Sequence, residues 1–287
     1  MKPLRLRLSE ATKVAHVPQH ITEVDYSLGH ILASIYRAPD LREGLVFKGG
    51  TALRKAYFHD YRFSLDLDFT AIAGTPSGWN LESALRKVIA QTDEALQEYG
   101  PFSLSIQRHL EKQTHPGGQE AFDVHIQFPW HPMPLCNIKL EITYDEPIVS
   151  RPLSLPLIHR YEESLDAILY CYSLEEIMAE KLRSLRQAQK KIEERGWGVR
   201  ERDYYDLWQI LRRRGQSLNL EILPAILQEK CQARGVEFIK IEDGFAPLLL
   251  SAVEQSWQRG LSEVVADPPP FPQVISELRI LLQDVML

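Results

Sequence analysis

The chain has 287 residues, 44% of them hydrophobic and 25% charged, and its formal charge is −6. This composition excludes a disordered chain. Because no apolar run approaches the ~20 residues of a membrane helix, we expect no membrane-spanning segment. The net negative charge by itself disfavours a nucleic-acid partner. The length predicts one large or two ordinary domains.

The cysteines and the N-terminus indicate the compartment. Cys136, Cys171 and Cys231 are an odd, widely spaced set without a Cys-x-x-Cys pair, so they predict neither a disulfide framework nor a zinc site. We expect them to be small buried residues in a reducing compartment. The first seven residues are basic but contain no apolar stretch, so we expect no secretory signal and a cytoplasmic location.

Hydrophobic periodicity and turn residues predict the elements of the first half of the chain. In chain order they are a helix over 24–37, a strand over 45–47, a short helix over 51–58, a strand over 62–72, a helix over 80–99 with Asn80 as its N-cap, and strands over 102–107, 121–128 and 135–144, the first two joined by a turn at Gly117 and Gly118. This mixture predicts an α/β arrangement.

The second half is predicted to be mainly helical. A proline-rich stretch over 147–156 marks a boundary, so the expected domains are an α/β domain over 1–156 and a mainly helical domain over 157–287. Ser173 and Glu176 have the spacing of a capping box. Beyond the boundary the expected elements are a strand over 167–172 and helices over 173–195, 203–214 and 274–285.

Two aspartates form the sharpest motif of the chain. In the run RFSLDLDF, Asp66 and Asp68 are two residues apart on a predicted strand and so point to one face. Two like charges held about 7 Å apart repel each other, and a divalent cation relieves that repulsion. The pair therefore predicts a Mg²⁺ site, although a solvent-exposed acidic strand face gives the same pattern.

A glycine pair precedes this motif, and another carboxylate follows it. Gly49, Gly50 and Thr51 join an apolar strand to a helix, a turn that lets the backbone approach a phosphate, although an ordinary strand–helix turn looks the same. Glu141 lies on the polar face of the strand over 135–144. If that strand neighbours the aspartate strand, three carboxylates converge and can hold two Mg²⁺ ions. Pairing of Glu141 with Lys139 is the alternative.

A lysine and two aspartates stand out in the helical half. Lys181 interrupts the apolar stripe of its predicted helix, where it either extends to the surface or offers an ammonium to a polyphosphate. Asp203 and Asp206 open the next predicted helix and would suit caps. Asp203 also lies one turn before Leu207, so it can face the same interior as Lys181.

Four stretches together resemble the AbiEii/AbiGii family of nucleotidyltransferase toxins, within the DNA polymerase β-type superfamily. They are FKGGTALRKAYF (47–58), RFSLDLDF (62–69), YSLEEIMAEKLRSL (172–185) and RDYYDLWQIL (202–211). Each stretch alone is weak, but the combination is specific. The resemblance implies an α+β fold, with a nucleotidyltransferase core built on a mixed β-sheet and a helical domain after it.

The resemblance also implies residue roles. The nucleotide-binding residues would be Lys48, Gly49, Gly50, Thr51, Arg62, Ser64 and Lys181. The catalytic residues would be Asp66, Asp68, Lys181 and Asp203, supported by Asp206. The metal-binding residues would be Asp66, Asp68 and Glu141. Leu65 departs from the family, which often carries an acidic residue there.

Family members are bacterial toxins paired with an antitoxin from an adjacent gene. Those with assigned activity transfer nucleotides to RNA, notably to the acceptor end of tRNA. The resemblance thus implies an enzyme that uses two Mg²⁺ ions to transfer a nucleoside monophosphate from an NTP to RNA. Modification of a protein or small-molecule hydroxyl, or a catalytically silent interaction module, are the alternatives.

The charge of −6 is an average over two unlike parts. Residues 181–214 contain 11 Lys and Arg against 5 Asp and Glu, so this basic segment carries +6 and the remainder −12. Such a segment either forms ion pairs along its own helices or binds an RNA backbone. Trp197, between two glycines of the segment, either stacks on a nucleobase or packs locally.

Overall fold

A computed structural model describes residues 2–110, 118–196, 198–283 and 285 of the chain. The chain divides into two compact units, one formed by Met1–Glu146 with Pro152–Cys171 and the other by Pro147–Arg151 with Tyr172–Leu287. The chain thus passes between the units after Glu146, after Arg151 and after Cys171. The expected domain boundary at 156 stays a prediction. Gly117, and with it the expected turn, lies outside the described residues, as does Trp197.

The first unit combines helices with a seven-stranded mixed sheet. Its helices are α1 (Leu4–Ala15), α2 (Gln19–Arg37), α3 (Gly49–Ala52), which continues as a π-helical turn over Leu53–Tyr57, and α4 (Gly78–Leu96). Its strands are β1 (Leu45–Lys48), β2 (Leu67–Ala71), β3 (Ser103–Arg108), β4 (Gln119–Gln127), β5 (Cys136–Thr143), β6 (Leu153–Pro156) and β7 (Ile168–Cys171). Their order is β3-β4-β5-β2-β1-β7-β6.

The central strand β2 pairs antiparallel with β1 and parallel with β5. Helices α2 and α4 pack on each other and against the sheet. Leu67, Phe69 and Leu140 are fully buried, whereas the alternate residues Asp68 and Glu141 are partly exposed. Period-two alternation thus separates an apolar face from a polar one. The α+β fold expected from the sequence is confirmed, with the core on the apolar face.

Strand β2 is shorter than predicted. A strand was expected over 62–72, but residues 61–66 are irregular and β2 begins at Leu67. The carbonyl of Asp66 accepts a hydrogen bond from Thr51 Oγ1 at 2.5 Å. The carbonyl of Phe63 accepts one from Arg62 Nη1 at 2.9 Å. These side-chain bonds take carbonyls that a longer strand would need for its ladder.

Other predicted boundaries also differ from the structure. Helix α4 begins at Gly78 after Ser77, so the prediction of Asn80 as its N-cap is wrong. No helix was predicted at α1, and the helix predicted over 24–37 starts five residues after the first residue of α2. Strand β6 was not predicted either; it is a four-residue, largely exposed edge strand that ends in proline. Short edge strands give little hydrophobic alternation and tolerate proline, so their signal is weak.

The second unit is helical throughout its described residues, apart from connecting turns. Its helices are α5 (Leu174–Arg195), α6 (Glu201–Arg214), α7 (Leu223–Gln232), α8 (Pro247–Leu261) and α9 (Phe271–Leu282). Helix α5 packs against α6, α7 and α8, and α6 packs against α8 and α9.

A buried ion pair attaches residues 147–151 to this unit. Glu176 and Lys230 are fully buried, with Oε1 and Nζ 2.8 Å apart. The Glu176 carboxylate also accepts hydrogen bonds from the amides of Val149 and Ser150, at 3.1 and 2.9 Å. Ser173 caps the amide of Glu176 as predicted, at 3.2 Å. The Glu176 side chain is used elsewhere, so half of the expected capping box forms.

Two expectations from composition can be compared with the structure. Cys136, Cys171 and Cys231 are all free and buried, as predicted. Burial raises the pKa of the Cys136 thiol to about 12, so this side chain is a neutral apolar group at ordinary pH. None of the described helices is both long enough and apolar enough to cross a bilayer.

Candidate active site

The glycine turn at the end of β1 lies directly against the central strand. Gly49 has a φ of +77°, and a Cβ atom at this position would lie 2.5 Å from Oδ2 of Asp68. A side chain would therefore be strained and would also collide with the aspartate. A Cβ atom on Gly50 would meet Nη2 of Arg62 and Oγ of Ser64. Because these two residues have no side chains, the turn can lie directly against Asp68 and against the segment that holds Arg62 and Ser64.

Three of the residues expected to bind nucleotide are buried beside this turn. Thr51 is fully buried, and Arg62 and Ser64 are 5% and 8% exposed. The Thr51 hydroxyl is bonded to the Asp66 carbonyl, and Arg62 donates to the carbonyl of its neighbour. The bond from Thr51 joins the glycine turn to the irregular segment before β2. Direct nucleotide binding by these three side chains stays a prediction.

The sheet register brings Asp68 between a cation and an acid. Asp68 of β2 pairs with Lys48 of β1 on one side and with Glu141 of β5 on the other. Paired residues on neighbouring strands project from the same face. We expected Glu141 to converge with the aspartates only if its strand neighbours theirs, and β5 is indeed the neighbour of β2. Asp66 is exposed and lies just before β2.

Glu141 also has the alternative partners that the sequence suggested. Its Oε1 accepts a hydrogen bond from Gln119 Nε2 at 2.6 Å and is paired with Lys139. Within the described part of the chain, Asp66, Asp68 and Glu141 are not among the groups whose ligand atoms lie within 4.8 Å of one another. Asp68 and Glu141 are therefore adjacent in the sheet and Asp66 lies just before it, but the three carboxylates are not drawn together around one point.

A buried charged cluster anchors the helix that follows the glycine pair, and it was not predicted from the sequence. Oδ1 of Asp25, on α2, lies 2.6 Å from Arg54 Nε and 3.0 Å from Lys55 Nζ. Oδ2 of Asp25 accepts a hydrogen bond from Tyr161 at 3.1 Å. Two adjacent cations in a helix with an otherwise apolar buried face were the available signal. Buried cations of this kind predict a buried acidic partner, but the sequence does not show which acid it is.

Electrostatics keeps this cluster charged. Burial opposes the ionisation of Asp25, but the charges of Lys55 and Arg54 outweigh it and hold the pKa of the carboxyl below its ordinary value. Burial lowers the pKa of the Lys55 ammonium to about 8, against the attraction of Asp25. At neutral pH the cluster is thus an acid paired with two cations. It fixes the π-helical turn after the glycines to α2.

In the second unit, Lys181 of α5 is held by both aspartates of α6. Its Nζ lies 2.8 Å from Oδ1 of Asp203 and 2.6 Å from Oδ2 of Asp206. The side chains of Lys181, Asp203 and Asp206 are 9%, 14% and 0% exposed. Lys181 therefore does not extend to the surface. The N-terminus of α6 has no side-chain cap, so the capping interpretation of the aspartates is wrong.

The basic segment over 181–214 has buried and exposed members. Lys181 and Arg183 are buried, the latter against the carbonyl of Lys230. The exposed cations are Lys190, Lys191, Arg195, Arg200, Arg212, Arg213 and Arg214. Most of the positive charge of this segment is therefore exposed to solvent.

Comparison with known proteins agrees with this arrangement. The family model for the nucleotidyl transferase AbiEii toxin of type IV toxin–antitoxin systems matches residues 30–277. The chain is similar in structure to MenT4, a nucleotidyltransferase toxin from Mycobacterium tuberculosis, with a TM-score of 0.55 and 20% identity, over 92% of this chain and 94% of that one. At this identity the likeness supports the fold. No protein with a curated description matches the chain significantly.

Proposed function

The chain belongs to the AbiEii family of nucleotidyltransferase toxins of type IV toxin–antitoxin systems, and we propose that its acceptor is RNA, at the 3′ end of a tRNA. In this proposal it transfers a nucleoside monophosphate from an NTP in the cytoplasm, with Mg²⁺, and releases pyrophosphate. A cognate antitoxin from an adjacent gene would restrain it. The observation that carries the chemistry is the position of Asp68, which lies against Gly49 and between Lys48 and Glu141.

The glycine turn is suited to an anionic ligand. Helix α3 begins at Gly49, so its first amides lack partners within the helix and favour negative charge. The absence of a side chain at Gly49 and Gly50 lets a phosphate approach the backbone. Lys48, next to this turn, adds a positive charge on the face of Asp68. These groups would hold the triphosphate of the NTP.

The carboxylates present fit Mg²⁺, which prefers oxygen ligands and takes one or two carboxylates alongside phosphate oxygens. Asp66 is exposed and Asp68 is partly exposed, so both can reach a ligand on the polar face. Glu141 can join them only by giving up its bonds to Lys139 and Gln119. Two bound Mg²⁺ ions would activate the acceptor hydroxyl and neutralise the departing pyrophosphate.

Lys181 is proposed as a cationic partner of the triphosphate. Asp206 is fully buried and fixes one side of the ammonium, and Asp203 fixes the other. Because Asp203 is already bonded to the ammonium, its contacts support a role in positioning Lys181 more than a role as general base. The two aspartates hold the ammonium in one place, so a ligand would meet it without rearrangement of the side chain.

Labelled NTPs, Mg²⁺ and total tRNA provide the test. We expect wild type to label tRNA at its 3′ end, and Asp68→Asn to lose at least about 100-fold of this activity. Asp60→Asn is the matched control, because Asp60 is an aspartate of the same unit whose side chain is 91% exposed. Equal labelling by wild type and Asp68→Asn would refute the catalytic assignment.

The alternatives are separated by the acceptor supplied in the same assay. Label transferred to protein or to small molecules, but not to tRNA, would refute the RNA acceptor and retain the transferase. A silent interaction module would give no transfer to any acceptor pool. In that case wild-type toxicity on induced expression would equal that of Lys181→Ala and Asp68→Ala.

A further inference from the structure

A cluster of metal-ligating side chains lies in the interior of the first unit, apart from the carboxylates of β2 and β5. It consists of His30 on α2 and of His159 and Glu163 in the segment that follows β6. Their side chains are 5%, 2% and 4% exposed. Nε2 of His30 and Nε2 of His159 lie 3.7 and 3.9 Å from Oε1 of Glu163. All three ligand atoms lie within 4.8 Å of one another.

These atoms have no hydrogen-bond partner among the described residues. Nε2 of His30, both ring nitrogens of His159, Oε1 of Glu163 and the hydroxyl of neighbouring Tyr26 are all buried and unpaired. The separations of 3.7 and 3.9 Å are too long for hydrogen bonds. Buried polar atoms are almost always satisfied, so Nε2 of His30, Nε2 of His159 and Oε1 of Glu163, which lie near one another, indicate a shared bound partner.

The spacing favours a metal ion over a water molecule. In a tetrahedral zinc site with bonds of about 2.0–2.1 Å, neighbouring ligand atoms lie about 3.3–3.4 Å apart. Around a water with hydrogen bonds of about 2.8 Å they would lie about 4.6 Å apart. The observed 3.7 and 3.9 Å are closer to the first value. We propose that His30, His159 and Glu163 bind a structural Zn²⁺ ion.

The surroundings also suit a metal site. Arg7 of α1 pairs with Oε2 of Glu163, which leaves Oε1 toward the histidines. Ligating carboxylates are commonly oriented by such outer contacts. The ring of His159 packs on Gly29, where a Cβ atom would lie 2.5 Å from Nδ1. Only a glycine on α2 leaves room for the imidazole.

The site would stabilise the position of the π-helical turn over Leu53–Tyr57, which follows the glycine pair. It would join α2 to the segment holding His159, whose neighbour Ile158 donates to the carbonyl of Lys55 at 2.7 Å. The sequence did not predict it because His30 lies far along the chain from the other two ligands. Near-complete burial of all three ligands argues against a site that admits a substrate. The fourth position of a tetrahedral zinc would fall to a water or to the buried hydroxyl of Tyr26, whose ring packs against both imidazoles.

A second cluster provides the matched control. Glu23, His131 and Cys136 also lie within 4.8 Å of one another. The carboxylate of Glu23, however, already accepts hydrogen bonds from Trp130 at 2.9 Å and Gln19 at 2.8 Å. The thiol of Cys136 donates a hydrogen bond to Oε2 of the same carboxylate, at 3.8 Å. A substitution at His131 should therefore leave the proposed zinc in place.

Metal analysis of the full chain tests the proposal. After purification with Zn²⁺ and gel filtration, we expect about one zinc per chain, and removal by a chelator should lower Tm by about 5–10 °C, reversibly. His30→Gln and His159→Gln should lose the zinc, while His131→Gln should keep it. An Asp66→Asn/Asp68→Asn variant should also keep it, which separates this site from the active-site carboxylates.

Wild-type protein alone can overturn the proposal, even if the histidine variants do not fold. Co²⁺ exchanged into the chain should give visible absorption bands of a low-coordinate nitrogen and oxygen site. Less than about a tenth of an equivalent of zinc, together with a Tm unmoved by chelator or Zn²⁺, would refute the site. Folded His30→Gln protein that retains a full equivalent would refute the ligand assignment.

Discussion

Gly49 is the residue on which the geometry of the candidate active site depends most directly. Its positive φ and its contact with Asp68 each disfavour a side chain. We predict that Gly49→Ala lowers nucleotidyl transfer by about 100-fold, because a displaced Asp68 is no longer aligned with the turn. The measurement is transfer rate at saturating NTP, on protein shown to be folded by circular dichroism.

Gly74→Ala is the control for Gly49. Gly74 has a φ of +92°, yet a Cβ atom there would meet nothing within 4 Å. It therefore carries similar backbone strain without a collision. Equal loss of activity in the two variants would show that strain alone, and not the approach to Asp68, explains the effect.

Asp25 is the second residue whose replacement should have a large effect. We predict that Asp25→Asn lowers the free energy of unfolding by about 3–5 kcal/mol, because it leaves Arg54 and Lys55 buried without their acid. Urea denaturation measures the change. Asp60→Asn, at an exposed position, should change it by less than about 0.5 kcal/mol.

The pH dependence of this effect follows from the lowered pKa of Asp25. A carboxyl whose pKa is lowered in the folded protein contributes its full stability above the ordinary aspartate pKa. That contribution is lost as the pH falls through the folded value. The difference between wild type and Asp25→Asn should therefore narrow below about pH 4. A difference that widens in acid would contradict the assigned charge state.

At the scale of elements, Lys181 links α5 to α6 through two unequal aspartates. Asp206 is fully buried and Asp203 is 14% exposed. We predict that Asp206→Asn costs about 3 kcal/mol of unfolding free energy and Asp203→Asn less than about 1 kcal/mol, while both reduce transfer. Chemical denaturation and the transfer assay, on the same preparations, measure the two effects. Equal losses of stability would contradict the difference in burial.

Much of the element pattern could be predicted, because it rests on local periodicity. The alternation around Asp68 and Glu141 predicted both strands, and the register then placed these residues side by side. The bond from Lys139 to Glu141 and the choice of Asp25 as partner of Arg54 depend on tertiary contacts. Periodicity does not encode such contacts, so the sequence could suggest candidates for the site but not their partners.

At the scale of the whole molecule, charge is distributed unevenly. The basic segment over 181–214 carries +6 in a chain of −6, and seven of its cations are exposed. Exposed cations bind an RNA backbone by releasing its counterions, which makes the affinity fall with salt. The net charge of the chain therefore does not argue against an RNA substrate, because an RNA contact depends on the local charge.

This distribution predicts the salt dependence of tRNA binding. Replacing Lys190, Lys191 and Arg195 with Gln should weaken binding and reduce the slope of log affinity against log salt by about 2, at about 0.7 per lost phosphate contact. Filter binding between low and physiological salt measures the slope. Replacing Lys13, Arg42 and Lys87 removes the same charge from exposed positions outside the segment and should leave the slope unchanged. If both triple variants lose the same slope, net charge and not the basic segment governs RNA binding.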